Sequence, residues 1–153
     1  MILPHRHVGK IETVRTPWHL WLVGVLAVLW NGFGCFDFTM TYTQRETWFA
    51  SMGMTQAQMD YFNAMPAWTH VAWAVGVWGG ALGGVLLLLR RKWAAPVFVL
   101  SFLGWLAGAI YAFALSNGIE AMGSMWPMQL VIGAGCVFFM WYAWTMGKRG
   151  VLR

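Results

Sequence analysis

Charge is the first thing this sequence lacks. Only 10% of its residues are Asp, Glu, Lys or Arg, where an average soluble domain carries about a quarter. Five residues are acidic, too thinly spread to offer the paired carboxylates of general acid–base chemistry. There is no phosphate-binding glycine loop, no nucleophile elbow and no HExxH pattern. The chain is therefore expected to be non-enzymatic, with no catalytic residue assigned. Cysteine is as sparse. Cys35 and Cys136 sit inside apolar runs with no CxxC spacing and no Cys/His cluster, which argues against a disulfide framework and against a zinc or other metal site.

Hydrophobic residues, by contrast, make up 59% of the chain, with 12 Trp, 10 Phe and 11 Met. Such a surface aggregates in water unless lipid covers it, so the lipid bilayer is the first expected partner. A spanning helix needs about 20 apolar residues. Four segments qualify, with predicted spans at 18–41, 67–89, 94–115 and 126–147. They show no strand-like alternation, so the predicted fold class is all-α: one transmembrane domain over residues 1–153, an integral membrane four-helix bundle. The first run is long and lacks a small-residue cleavage pattern. Gly32-Phe33-Gly34-Cys35 lacks the aliphatic residue that a lipoprotein cleavage site places three before the cysteine. The segment is read as a retained span.

The net charge of +5 does not point to nucleic acid, because of where the charges lie. Nine of the ten basic residues fall in three clusters: Arg6, Lys10 and Arg15; Arg90, Arg91 and Lys92; Lys148, Arg149 and Arg153. The other two connections carry only Arg45 against Glu46, Asp60 and Glu120. Positive flanks stay in the cytoplasm, which predicts an inner-membrane protein with both termini inside. Trp18, Trp21, Trp93 and Trp144 then fall near the inner interface, and Trp48, Trp68 and Trp126 near the outer one. In the outer connection from Tyr42 to Pro66, residues Thr55 to Phe62 read as one short helix with Thr55 as N-cap.

Two sets of residues stand out within the spans. Gly76, Gly79, Gly80, Gly83 and Gly84 in the second span, with Gly104 and Gly108 in the third, form small-residue stripes. Glycine lets helix backbones approach closely where lipid supplies no hydrophobic drive. The short basic turn makes these spans antiparallel neighbours, so the stripes are expected to seal one against the other or to meet another chain. The second set is polar. Asp37 near the outer boundary, Asn31 deeper on the same span, His70 and Asn117 could form an outer polar cluster that meets a ligand or partner. Asp37 could equally cap its helix or meet Arg45. His19 and His70 lie at opposite depths and cannot share one haem within a single chain, and His5 and His7 belong to the N-terminal arm. No cofactor is assigned. Trp30, Trp78 and Trp105 lie deep and suit either bundle packing or a flat ligand.

Several stretches carry a resemblance: Thr16-Pro17-Trp18-His19-Leu20-Trp21, Trp30 through Thr41, Pro66-Ala67-Trp68, Trp73 through Gly80, Ser116-Asn117-Gly118 and the closing Arg-Gly-Val-Leu-Arg. Together they resemble a family of small proteobacterial four-span inner-membrane proteins, some labelled "sugar transporter". The resemblance spans nearly the whole chain and implies fold and location. The Pro-Gln pair of three-helix sugar transporters is absent, since Met128 separates Pro127 from Gln129. The leading expectation is thus a non-catalytic accessory or self-assembling subunit, whose partners are other membrane chains or copies of itself. The alternatives are an oligomeric transporter of a small neutral solute, and a cofactor- or quinone-binding subunit of an electron-transfer or photosynthetic assembly.

Overall fold

The computed structural model describes residues 14–153, and over these the chain is helical with no strand. Of the first basic cluster, Arg6 and Lys10 lie outside the described residues, as do His5 and His7. Four helices are long and apolar enough to cross a membrane: α1 (Trp18–Thr43), α4 (Ala67–Leu88), α5 (Ala94–Ile110, extended to Leu115 by a π-helical turn) and α7 (Pro127–Lys148). The predicted spans match these within two residues at each end. Between them lie α2 (Arg45–Ser51), α3 (Gln56–Asn63) and α6 (Gly118–Met122). One short helix was expected between residues 42 and 66, and there are two. Thr55 does cap α3, accepting from Gln58 N–H at 3.2 Å while the Gln58 side chain accepts from Thr55 N–H at 3.0 Å.

Helix α4 lies between α1 and α5, and α5 lies between α4 and α7. The continuous core sits at one end. Leu20, Val23 and Ala27 of α1, Leu87 of α4, Phe98 of α5, and Phe139, Ala143 and Met146 of α7 pack together there. His19 hydrogen-bonds Tyr142 across the α1–α7 gap at the same end. The other end is built differently, from short helices laid against one another. Gln58 donates to the Met122 carbonyl at 3.2 Å, and Arg45 donates to Asn63 Oδ1 at 2.7 Å while its guanidinium lies over the Tyr42 and Phe49 rings.

All three basic clusters have described members at the core end. Arg90 donates to Thr16 Oγ1 at 3.1 Å, tying the α4–α5 turn to the start of α1. Lys92 N–H donates to the Arg153 carbonyl at 2.8 Å, and Arg153 N–H to the Arg90 carbonyl at 2.7 Å. The segment after α7 is thus paired to the same turn. It does not hang free: Val151 is 4% exposed and Leu152 1%. Matching chain reversals make this possible. Arg90 (φ 56°) ends α4 and Gly150 (φ 73°) ends α7 in the left-handed conformation. The next residue then bonds back five positions, Arg91 N–H to Leu86 and Val151 N–H to Met146.

Candidate functional site

The glycines divide between two faces of α4. Gly76, Gly79 and Gly83 meet α5: Gly76 faces the backbone of Gly104 and Trp105, Gly79 faces Ser101, and a Cβ on Gly83 would stand 2.8 Å from the Phe98 ring. Gly80 and Gly84 turn the other way, onto α1. A Cβ on Gly80 would overlap the Asn31 carboxamide, and one on Gly84 would lie 2.9 Å from Val28. The expected single α4–α5 seal is therefore corrected to two seams, because Gly80 and Gly84 stand about 100° round the helix from Gly79 and Gly83 and so meet a different neighbour. Gly24 and Gly34 of α1 complete the second seam against Leu88 and Val77. Gly108 takes part in neither, since an added Cβ there meets nothing within 4 Å.

Close approach exposes the α4 backbone to its neighbours' side chains. Ser101 Oγ of α5 donates to the Gly76 carbonyl at 2.6 Å, and Cys35 Sγ of α1 donates to the Val77 carbonyl at 3.4 Å. Two successive carbonyls of one helix thus bind two different helices, which only a helix flanked by small residues allows. Asn31 Nδ2 donates to the Ala27 carbonyl at 2.9 Å, so its polar head is part of the α1–α4 seam and not of an outer site.

The remaining members of the predicted polar cluster have separate neighbours. Asp37 Oδ1 accepts from the Trp48 indole at 2.6 Å, fixing α2 back onto the end of α1. Its partner is not Arg45, which goes to Asn63. His70 lies edge-on to Tyr42, with ring centroids 5.8 Å apart. Asn117 precedes α6 as an exposed residue whose side chain makes no cap bond. Among the described residues no hydrogen bond joins any two of Asp37, His70, Asn117 and Asn31.

A junction absent from the sequence expectations lies beside them. At the π-helical turn of Tyr111–Leu115 the Tyr111 carbonyl accepts from Ser116 Oγ at 2.8 Å. That proton committed, Ser116 Oγ accepts from the Tyr61 hydroxyl at 2.7 Å. Burial pushes the Tyr61 hydroxyl above its ordinary pKa, with the Ser116 bond opposing the shift, so it stays a neutral donor. Gly118 lies against Tyr61 and the Ala112 carbonyl, where a Cβ would clash. No local pattern marks a π turn, which is why Tyr61 and Ser116 escape a sequence reading.

No known protein family matches the chain, and no curated protein or solved structure does. Its chemistry must be read from its own side chains. Among the described residues no three His, Cys, Asp or Glu groups gather in a way that could hold a metal ion. His19 and His70 are engaged at opposite ends, with Tyr142 and with Tyr42. Of the deep tryptophans, Trp30 is 46% exposed and Trp78 51%, so both face outward. Trp105 faces inward, its ring filling the space over Gly133 of α7, with its Nε1 proton buried and unpaired. An unmet donor of this kind costs about 1–3 kcal/mol.

Proposed function

We propose that this is a non-catalytic multi-pass protein of the bacterial inner membrane, with residues 14–17 and 149–153 at the cytoplasmic face, and that it works by packing against other membrane chains as an accessory subunit or as copies of itself. The observation that carries this reading is how space is distributed. Asn31, Phe98 and Trp105 fill the gaps over Gly80, Gly83 and Gly133, leaving the helix seams closed. Gly32 of α1 and Gly108 of α5 have no neighbour within 4 Å of an added Cβ. Around Gly32 the surface is apolar and broad, with Leu29 65%, Phe33 59% and Phe36 51% exposed. Open glycine on a bulky apolar face suits close approach by a helix from outside, whereas a solute path needs its space within the bundle.

Purification in mild detergent followed by native mass spectrometry tests the reading. The wild type should carry further chains, its own or others. Gly32→Leu and Gly108→Leu should lose them while melting like the wild type, since neither site touches the internal seams. Saturable uptake of a neutral solute by the pure reconstituted protein, abolished by Asp37→Asn, would replace this reading with the transporter.

Orientation has its own test. A reporter after Arg153 should read cytoplasmic and one near Gly53 periplasmic, because the basic flanks cluster at one end. Reversed signals would sink the proposed topology without touching the packing proposal.

A further inference from the structure

The pairing of residues 151–153 with the α4–α5 turn assembles positive charge in a hollow. A cavity of about 230 Å³ opens at the core end, lined by Leu89, Arg90, Arg91 and Arg153. We propose that it binds the phosphodiester headgroup of an anionic glycerophospholipid.

Three arginines border one small hollow. Each presents planar, forked donors suited to phosphate oxygens. Arg90 spends one donor on Thr16, while Arg91 and Arg153 are exposed. Among the described residues no acidic side chain lies at this end. The four acidic side chains among the described residues are Asp37 near the end of α1, and Glu46, Asp60 and Glu120 on α2, α3 and α6, all toward the opposite end. The backbone bonds between Arg153 and the turn hold like charges together, and Arg90 sits at φ 56°, a conformation that side-chain-bearing residues rarely adopt. A bound phosphodiester relieves the repulsion.

The surroundings select a lipid over a soluble phosphate. Leu89, 61% exposed, forms one wall of the cavity, and Trp93, 71% exposed, follows within the same turn. An apolar wall beside a cationic floor matches a headgroup joined to its glycerol and acyl chains. A tryptophan at that level is typical of the membrane interface. Clustered basic residues at the ends of spans attract anionic lipid in general. What is specific here is a formed hollow whose third arginine is delivered by backbone pairing from a distant part of the chain.

The test uses the full chain in an uncharged detergent, with phosphatidylglycerol or phosphatidylcholine added as the probe and bound lipid counted by native mass spectrometry. The wild type should retain phosphatidylglycerol in preference. Arg91→Gln and Arg153→Gln should each weaken it about fivefold, and the double variant about 25-fold. Neither removes a backbone bond, and matched melting curves in phosphatidylcholine will establish that the fold is kept. The control, Lys148→Gln with Arg149→Gln, removes the same charge from the same end outside the cavity and should change retention little. Equal loss in both double variants would reduce the effect to diffuse attraction and overturn the site. Absence of a preference in the wild type would overturn it too, and displacement by excess inorganic phosphate would overturn the lipid assignment. Micelles have no sidedness, so this outcome is independent of the proposed orientation.

Discussion

Gly104→Leu is expected to break the bundle, while Gly108→Leu, one turn further along the same helix, leaves it folded. At Gly104 even a methyl group has nowhere to go. Its Cβ would stand 2.6 Å from the Ala72 carbonyl oxygen and 2.8 Å from Gly76 N, both backbone atoms that no rotamer change can clear. Gly104→Ala should therefore cost about 1–3 kcal/mol, the usual penalty for overpacking a tight interior, and the leucine variant more. At Gly108 the same addition meets open space, and Gly108→Ala should stay within about 0.5 kcal/mol of the wild type. Unfolding in detergent, followed by the far-ultraviolet helical signal, reads both. Similar melting of Gly104→Ala and Gly108→Ala would show that α4 and α5 do not touch at Gly104.

The second large effect belongs to a residue that looks dispensable in the sequence. Leu152 lies four residues beyond the end of α7, yet it is 1% exposed and joins the core of Leu20, Leu87 and Met146. Leu152→Ala should cost about 2–5 kcal/mol, as for other buried leucines truncated to alanine. Leu152→Asp should cost more, because the carboxylate would be buried without a partner. Arg153→Ala is the internal control, since the residue's contribution to the fold is made by its backbone N–H and carbonyl. It should melt like the wild type in neutral detergent. Leu152→Ala melting with the wild type would show that the segment is not part of the core.

The four long helices were legible because unbroken apolar runs of the length a bilayer would require stand out in any sequence. The one-ended distribution of Arg90, Lys92 and Arg153 was legible for a related reason, since charge is costly within the bilayer. What escaped were the decisions made by shape. Gly76 and Gly80 are identical in sequence terms, yet one faces Trp105 and the other Asn31, and only the placement of α1 separates them. Asp37 offered several partners within reach, and the choice of Trp48 depended on α2, which the sequence reading did not anticipate. In the structure Glu46 lies in its first turn, and Gly53 (φ 71°) follows its end with Met54 N–H bonded back to Phe49. The Tyr61–Ser116–Tyr111 relay was beyond reach, because it needs a π turn that residues 111–115 do not announce.

The placement of Leu152 also sets an order of events during synthesis. A chain is made from its N-terminus, at about 5–20 residues per second. Helices α1, α4 and α5 can close their two glycine seams as soon as α5 is made, since those seams lie among these three helices. The core at the opposite end of that process cannot close then. It waits for Phe139, Ala143 and Met146, and afterwards for Val151 and Leu152, which join residues made more than a hundred positions earlier. Until that moment Leu20 and Leu87 lack their covering side chains, and Arg90 lacks the carbonyl partnership that pins its turn. Until residues 139–152 arrive, the bundle is thus a three-helix layer with an unsealed floor, and that interval is when another protein has most to grasp.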